Sequence, residues 1–398
     1  MSIMIKNAEI ISHSTNGRFN IYIENGKIIE ITKNQKKAKV TKVIDANGYV
    51  IIPGIIDMHT HLRDPGFEYK ETIETGLKAA IHGGVTTLGV MPNTKPSLDN
   101  LESLQYIEEK SQKTNLSKII PIPAITKKRE GKIINDLKKF SKYGYRFFSD
   151  DGDPVWDDEI MLKALQITKE FNGIIINHCE DKRFLGKEIF ESLMVARDIE
   201  LSKFSNSHVH IAHISTSNTL DLIKYAKIED LKVSCEITFH HLLLEKEKNN
   251  TLKKINPPLP DKDTQKYLIN NLDYIDIIVS DHAPHTLKEK NKDYENAPNG
   301  ISGLDIFLPA IYTLSKKHKI DFKYLIEKTT YNPSKIFKLS KIGDIKEGYS
   351  ADLVIFNPKE EWDKIIYSKG KNMPYKQLYG KVLLTMIDGK IKYNERGF

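Results

Sequence analysis

Cysteine is scarce in this sequence: Cys179 and Cys235 are the only two among 398 residues. Two cysteines cannot build the disulfide framework on which small secreted domains depend. Both lie in apolar, strand-like runs, so we expect them to be buried free thiols. The corresponding prediction is that the protein works in a reducing compartment, the cytoplasm.

Long apolar runs and a strong excess of charge are lacking as well. No run is long enough to span a bilayer, and the first residues lack a signal-peptide pattern, so we expect neither a membrane segment nor a leader. The 60 basic and 53 acidic residues leave a net charge of +7 that is spread along the chain. Nucleic-acid binding would need a basic face with an aromatic or helical reader, so we expect no nucleic-acid partner. A mildly positive protein suits an acidic small molecule.

What the sequence does have is a regular alternation from about residue 52 to about residue 340. Apolar, β-branched runs alternate there with helix-period segments such as Tyr69 to His82, Asp157 to Glu170 and Asn218 to Ala226. The eight runs end at His59/His61, Asn93, Ala124, Asp151, His178, His213, Glu236 and Asp281. Eight βα units over roughly 270 residues predict an α/β fold, a TIM-like (β/α)8 barrel of residues 53–339.

Both ends of the chain are rich in β-like runs instead. One hairpin is predicted around an Asn25-Gly26 turn and a second around Asp388-Gly389. Because these β-rich ends flank the barrel, we expect residues 1–52 and 340–398 to form one small β-subdomain together.

The first barrel strand ends in His59-Thr60-His61. Side chains two residues apart on a strand point the same way, so the two imidazoles form a natural pair of ligands for a divalent metal ion. Arg63 follows with a guanidinium fork that suits a carboxylate. Taken alone, His-x-His could equally be a polar pair at a strand edge. Matching residues at other strand ends favour the metal.

His178 and His213 supply those matches at two further strand ends. Either one alone would more often be a core histidine, but together they bring four imidazoles to one rim. A catalytic zinc takes about three protein ligands plus water, so four imidazoles suit two metals about 3.5–4 Å apart. Such a pair needs a bridging anion, for which Asp151 is the candidate and Asp150 the weaker alternative. On its own, Asp150-Asp151-Gly152 would indicate a turn.

Asp281 ends the eighth predicted strand. A carboxylate beside a metal can be both a ligand and a carrier of protons, although a strand-end cap is the plain alternative. His285 lies one loop step further out, where a substrate would sit. Structural roles without metal ligation are expected for His82, His208, His210, His240, His241 and His282.

Together these motifs resemble the bacterial class I dihydroorotases of the amidohydrolase superfamily. The resemblance extends from Pro53 to about Pro374. It is carried by Pro53–Gly66, Met91–Thr94, Phe148–Gly152, His178–Asp181, Ala212–Thr216, Asn256–Leu259 and Ser280–His285. The set is far more specific than any member, because His-x-His alone marks the whole superfamily. The segment Asn299–Leu304 resembles the glycine-rich loop over the substrate in that family.

The resemblance implies reversible, zinc-dependent hydrolysis of the cyclic amide of (S)-dihydroorotate to N-carbamoyl-L-aspartate, a step of pyrimidine synthesis. It implies two zinc ions per subunit. One would be held by His59, His61 and Asp281, the other by His178 and His213, with Asp151 between them. The implied substrate-binding residues are Arg63, Asn93 and His285, with Asn256 nearby. Asp281 and Asp151 are the implied catalytic carboxylates.

The chain also departs from the family pattern. Phe239 stands where the family usually has proline, Pro260 stands where it usually has arginine, and the segment between His178 and His213 is shorter. The fourth strand end has no lysine, which when carboxylated bridges the metals in hydantoinases and dihydropyrimidinases. This favours the aspartate-bridged class.

Two other functions remain as alternatives. A hydantoinase, dihydropyrimidinase or allantoinase would act on a neutral ring, which would not need Arg63 and His285. A non-catalytic structural partner of aspartate transcarbamoylase would lack metal ligands, whereas here the set looks complete. The expected partner is a small-molecule substrate; a homodimer and a complex with aspartate transcarbamoylase are two further options between which the sequence does not decide.

Overall fold

A computed structural model gives the structure of residues 2–34, 40–184, 187 and 189–398. In these ranges the strands are β1 Ser2–Ile11, β2 Asn16–Glu24, β3 Lys27–Thr32, β4 Lys42–Asp45, β5 Val50–Pro53, β6 Ile55–Thr60, β7 Val85–Val90, β8 Lys118–Pro121, β9 Phe147–Phe148, β10 Ile174–Asn177, β11 His208–Ile211, β12 Val233–Thr238, β13 Ile277–Val279, β14 Leu353–Glu361, β15 Tyr379–Ile387 and β16 Lys390–Asn394. The α-helices are α1 Ile73–His82, α2 Leu101–Thr114, α3 Leu137–Lys142, α4 Asp158–Lys169, α5 Ile189–Ser205, α6 Ser217–Ile228, α7 Phe239–Leu243, α8 Lys262–Asn270, α9 Leu287–Lys290, α10 Phe307–His318, α11 Phe322–Thr329 and α12 Tyr331–Ile336. Among them, no helix combines the length and the apolar character needed to cross a bilayer.

Strands β6 to β13 form two parallel arcs, β6-β7-β8 and β9-β10-β11-β12-β13. Hydrogen bonds join the arcs at both ends. The amide of Ser149, after β9, donates to the carbonyl of Pro123, after β8, at 3.1 Å. The amide of His61, after β6, donates to the carbonyl of His282, after β13, at 2.9 Å. The eight parallel strands therefore form a TIM-like barrel, as the alternation in the sequence predicts.

Strands from both ends of the chain share a second, mostly antiparallel sheet. Its order is β16-β15-β14-β5-β1-β2-β3, with β4 paired to β1. The two predicted hairpins are present as β2–β3 and β15–β16. The exact division into residues 1–52 with 340–398 and residues 53–339 stays a prediction.

The barrel interior is an apolar core below the carboxyl ends of its strands. The interior cluster consists of Ile56, Met58, Met91, Ile122, Phe147, Ile174, Ile176, Ala212, Ile277, Val279 and Phe337. Because layers of side chains fill the inside of a small barrel, the chemistry is confined to the rim above them.

Several element boundaries differ from the predicted ones. Helix α1 begins at Ile73 instead of Tyr69, because Thr72 caps its first turn in a reciprocal hydrogen-bonded box with Thr75. At its other end the helix stops at His82, the predicted last residue, with Gly83 as its cap. Strand β8 ends at Pro121, three residues before the predicted end at Ala124.

Candidate metal centre

A bulge in β6 places His59 and His61 inside the barrel. Ile56 and Met58 both belong to the interior cluster. In a regular strand the next side chain to point inward would be that of Thr60. The pairing of β6 with β7 shifts between Asp57 and Thr60, so that the alternation changes phase there. The two histidines consequently face the barrel axis, while the Thr60 hydroxyl donates to the carbonyl of Gly89 at 2.7 Å.

The four rim histidines converge on one carboxylate, that of Asp151. Its Oδ1 lies 3.4 Å from His59 Nε2, 3.4 Å from His178 Nδ1 and 3.4 Å from His213 Nε2. Its Oδ2 lies 3.5 Å from His61 Nε2. The result is two overlapping groups, His59–His61–Asp151 and Asp151–His178–His213, whose ligand atoms lie within 4.8 Å of one another. Asp151 is the shared member, which is the geometry of a bridge.

Asp281 adjoins this cluster, and Asp150 does not. Asp281 Oδ1 lies 3.0 Å from His61 Nε2 and 3.7 Å from His59 Nε2. The Asp150 carboxylate instead accepts hydrogen bonds from the amide and the hydroxyl of Thr126 at 3.0 and 2.5 Å. Of the two adjacent aspartates, only Asp151 therefore faces the histidines.

Hydrogen bonds on the outer sides of three histidines fix which ring nitrogen faces the cluster. Nδ1 of His59 contacts the carboxylate of Glu236, and Nδ1 of His61 donates to Oδ1 of Asn93 at 2.8 Å. Since the acceptors are oxygens, each outer nitrogen carries the proton and each inner Nε2 presents a lone pair.

His178 is oriented the other way round. Its Nε2 donates to Oε2 of Glu180 at 2.8 Å, so its Nδ1 faces inward. Nδ1 lies 2.8 Å from Nε2 of His213. Sequence reasoning gave Glu180 and Glu236 no role. Their positions, two residues after His178 and at the predicted end of a barrel strand, were the available signals.

Negative charge dominates the buried cluster. Burial lowers the pKa of His178, but hydrogen bonds to Asp151 and Glu180 outweigh it and raise that pKa to about 9. Burial likewise lowers the pKa of His59, and the charges of Asp151 and Glu236 raise it well above its usual value. The carboxylates thus favour a positive charge at this place, either a proton or a metal ion.

The donor set fits divalent metal ions. Inward-facing lone pairs and carboxylate oxygens repel one another unless a cation lies between them. The buried Nε2 of His59 has no hydrogen-bond partner among the described residues, although two carboxylates are close to it. Imidazole nitrogens with carboxylate oxygens are typical zinc ligands. His59, His61, Asp151, His178, His213 and Asp281 are the residues that could hold such ions.

Strained backbone and buried support hold the ligands in place. His213 and Asp281 have φ values of +30° and +43°, in the left-handed region that costs free energy for residues with a side chain. Behind His213, the buried carboxylate of Glu191 accepts the amide of Ser215 at 2.9 Å. Such strain persists only where the surroundings over-determine it, as they do at functional sites.

A cavity of about 300 Å³ opens above the cluster. This is the lower end of the size range of small-molecule sites. Around the histidines and Asp281, its wall contains all four predicted substrate residues, Arg63, Asn93, Asn256 and His285, together with Pro298, Asn299 and Gly300. The structure therefore brings the predicted ligands and the predicted substrate residues to one place.

Arg63 and His285 differ in charge. Burial lowers the pKa of Arg63 to about 10, so the guanidinium remains charged at neutral pH, and its buried Nε has no hydrogen-bond partner among the described residues. Burial, assisted by Arg63 and Lys70, lowers the pKa of His285 to about 2. His285 Nε2 donates to the carbonyl of Asn299 at 2.8 Å, and Nδ1 lies 3.3 Å from Lys70 Nζ. Arg63 is accordingly the cation that faces the cavity, and His285 is neutral.

Asn256 lies between the metal cluster and the outer wall. Its Nδ2 donates to Oε2 of Glu180 at 2.8 Å. The six other histidines with predicted structural roles have other contacts. His282 lies 3.3 Å from Glu71, His241 bonds to Thr238 and His240 to Tyr375.

His82, His208 and His210 complete this set. His82 lies between two carboxylates, those of Asp305 and Asp363, while the other two bond to Ser234. None of the six belongs to the two metal-type groups found in the described residues.

A model of the amidohydrolase family matches residues 50–392. The dihydroorotase of Aquifex aeolicus (strain VF5) is 39% identical over 424 aligned positions, which cover 99% of this chain and 100% of that protein. The dihydroorotase of Clostridioides difficile (strain 630) is 38% identical, with 98% of this chain and 100% of that protein covered.

Solved structures are similar in fold. The L-hydantoinase (dihydropyrimidinase) of Arthrobacter aurescens superposes with a TM-score of 0.90 at 22% identity, covering 99% of this chain and 96% of that one. The D-hydantoinase (dihydropyrimidinase) of Thermus sp. superposes with a TM-score of 0.87 at 26% identity, covering 100% and 96%. These likenesses agree with the predicted barrel.

Proposed function

The chain belongs to the amidohydrolase family, and from this premise we propose that it is a dihydroorotase, a hydrolase that reversibly opens the cyclic amide of (S)-dihydroorotate to N-carbamoyl-L-aspartate. Full-length similarity to dihydroorotases supports the activity. The single observation that carries the proposal is the pairing of a histidine–aspartate cluster with a charged arginine in one small cavity. The cluster would hold the metal ions that amide hydrolysis needs. The arginine would bind the carboxylate of the ring.

The cofactor we propose is a pair of zinc ions. His59, His61 and Asp281 would hold one, His178 and His213 would hold the other, and Asp151 would bridge them. The two overlapping ligand groups with Asp151 in common support this count. When bound, such a pair lowers the pKa of water and polarises the attacked carbonyl.

Asp281 is the proposed acid and base. Its carboxylate lies at the edge of the cluster, on the cavity wall, within 3.0 Å of His61 Nε2. Burial raises its pKa, but the adjacent imidazoles of His61 and His59 outweigh this and keep the pKa below its usual value. An ionised Asp281 can take the proton of the attacking water and deliver it to the ring nitrogen, which must be protonated to leave.

Arg63 is proposed to orient the ring. A guanidinium binds a carboxylate through two parallel hydrogen bonds, so it fixes direction as well as position. Asn93 and Asn256 would bind the ring. Asn93 accepts a hydrogen bond from His61 of the cluster, and Asn256 donates one to Glu180, the partner of His178. His285 would contribute a neutral imidazole, since its pKa lies far below neutrality.

Turnover of dihydroorotate tests the proposal. The loss of dihydroorotate would be followed by ultraviolet absorbance with enzyme as purified, after chelation, and after zinc is restored, with hydantoin as a parallel substrate. Loss of activity on chelation, recovery with zinc and a strong preference for dihydroorotate are expected. Preference for hydantoin would instead identify a neutral-ring amidase, and two bound metals without turnover would indicate a required partner.

Compartment and assembly belong to the proposal as well. Cys179 and Cys235 are both buried free thiols, which supports a reducing compartment such as the cytoplasm. A homodimer and a complex with aspartate transcarbamoylase stay predictions, as does the absence of a nucleic-acid partner.

A further inference from the structure

Lys290, the last residue of α9, is a buried ammonium whose hydrogen-bond acceptors are all main-chain carbonyls. Its side chain is 1% exposed. Nζ donates to the carbonyl oxygens of Lys254 at 3.1 Å, Pro298 at 2.9 Å and Gly300 at 3.0 Å. Burying a charge costs free energy that carbonyl dipoles offset only when the geometry is good. A lysine buried at this cost indicates that its three hydrogen bonds have a structural or functional role.

The three carbonyls belong to two segments that form the outer wall of the cavity. Pro298, Asn299 and Gly300 line the cavity, and Lys254 precedes the lining residue Asn256 by two positions. The two segments also bond to each other, since the amide of Gly300 donates to the carbonyl of Lys254 at 2.9 Å. Lys290 is thus hydrogen-bonded to both of the segments that form the outer wall of the cavity.

Asn372, which lies in a different segment of the chain, is hydrogen-bonded to the same wall. Its buried Nδ2 donates to the carbonyl of Gly300 at 2.9 Å. Its Oδ1 accepts the amide of His285 at 2.8 Å. The carbonyl of Gly300 is consequently shared by Lys290 and Asn372, which lie 82 positions apart in the sequence.

Gly300 passes close to a neighbouring segment of backbone. Its φ is +140°, which is unfavourable for residues with a side chain, and a Cβ there would lie 2.4 Å from the carbonyl oxygen of Ala283. The backbone of residue 300 therefore passes too close to the segment before His285 for a residue with a side chain.

We propose that Lys290 and Asn372 are positioning residues: they fix the Gly300 carbonyl and so set the distance between the 298–300 wall and the metal centre. Neither side chain lines the cavity, and neither contacts a proposed metal ligand. They act through the wall on the binding of the ring, and not on the chemical step. The inference rests on the proposed function for the identity of the ring.

Replacement of Lys290 by methionine is the primary test, because it keeps the length of the side chain and removes the donors. We expect KM for dihydroorotate to rise about tenfold while kcat stays within about threefold, the signature of lost binding that is common to ground and transition states. Lys290→Arg, which retains charge and donors, should recover part of the KM. A role in global stability alone would lower the melting temperature and leave KM unchanged.

Lys254 offers a matched control. Its Nζ donates to three carbonyls of the same loop, those of Tyr294 at 2.6 Å, Glu295 at 3.1 Å and Ala297 at 2.8 Å. None of these three residues lines the cavity. Lys254→Met should therefore leave KM within about twofold of the wild-type value, because the carbonyl of Lys254 itself is retained.

Hydrogen exchange separates failure of this inference from failure of the proposed function. Amides of residues 299–302 should exchange faster in Lys290→Met and Asn372→Ala than in the wild type and in Lys254→Met, whichever ring the enzyme opens. If the wild-type enzyme opens only another ring, KM is compared on that ring. Should one of the two variants not fold, the other carries the test. Unchanged exchange or unchanged KM in a folded variant would overturn the inference.

Discussion

The carboxylate of Glu236, at the fourth position of β12, contacts Nδ1 of His59 inside the barrel, and both side chains are fully buried. Oε2 of the same carboxylate lies 3.1 Å from Nε2 of His210. Glu236 therefore sets the tautomer of His59 and turns Nε2 toward the proposed metal site. Burial raises the pKa of Glu236, but the charge of His59 and the hydrogen bonds from His210 and His59 outweigh burial and hold that pKa well below its usual value.

Glu236→Gln should weaken metal binding. Glutamine retains the shape of the side chain but loses the charge that makes His59 a stronger ligand. Loss of such an outer partner costs about ten- to a hundredfold in metal affinity or activity. Zinc titration of the chelated enzyme in competition with a coloured chelator would measure it. As control, Asp352→Asn changes a buried carboxylate that bonds to Lys118, away from the cluster, and should leave metal affinity unchanged. Equal affinity in Glu236→Gln and wild type would contradict the assignment.

Asp281→Asn should lose turnover. An amide cannot take a proton from water, and general acid–base groups contribute about 10²- to 10⁴-fold, so kcat should fall by at least about a hundredfold. Metal content should fall less, because the four histidines and Asp151 remain. Steady-state kinetics at saturating zinc, with metal analysis of the same sample, would measure both. A near-normal kcat would exclude Asp281 as the proton carrier.

The barrel and the meeting of the four rim histidines with Asp151 and Asp281 were predictable from the sequence because both depend on period and spacing. Eight strand-like runs, most of them with metal-type residues at their ends, leave few other architectures. His59, His178 and Asp281 come from separate strands, and only the closure of the barrel joins them. Strand ends are local signals, so a single sequence suffices to find them.

The orientation of the side chains at the site was not predictable in the same way. The bulge between Asp57 and Thr60 depends on the pairing of β6 with β7, which no local pattern of β6 encodes. The choice between Asp150 and Asp151 depends on the distant Thr126, which binds the former. Asn372 reaches the wall from the C-terminal segment through contacts between residues more than 70 positions apart. Such long-range pairings are decided by tertiary packing.

Stability should depend on pH through His82. Burial lowers the pKa of this histidine, but Asp305 and Asp363 outweigh burial and raise it to about 9. A raised folded-state pKa contributes stability that is fully present below the unfolded value of about 6.5 and is lost as pH rises through about 9. The difference corresponds to about 3 kcal/mol at most.

The corresponding variant is His82→Asn. Its melting temperature should lie below that of the wild type at about pH 6, and the gap should narrow toward about pH 10. Calorimetry of both proteins across this range would measure the gap, with the exposed His13→Asn as control. A gap that does not change with pH would contradict the ion pairs of His82 with Asp305 and Asp363.

Arg63→Lys should mainly weaken the binding of substrates that carry a carboxylate. A lysine ammonium replaces the two parallel hydrogen bonds of the guanidinium with one point charge. Hydrogen bonds to charged groups contribute about 1.5–3 kcal/mol, so KM for dihydroorotate should rise about ten- to a hundredfold. Dihydrouracil, the same ring without the carboxylate, provides an internal control: any slow turnover of it should change little between wild type and variant. If the variant weakened both substrates equally, Arg63 would hold the cavity wall and not the carboxylate. If KM for dihydroorotate were unchanged, the proposed contact would be excluded, and the guanidinium that faces the cavity would need another partner.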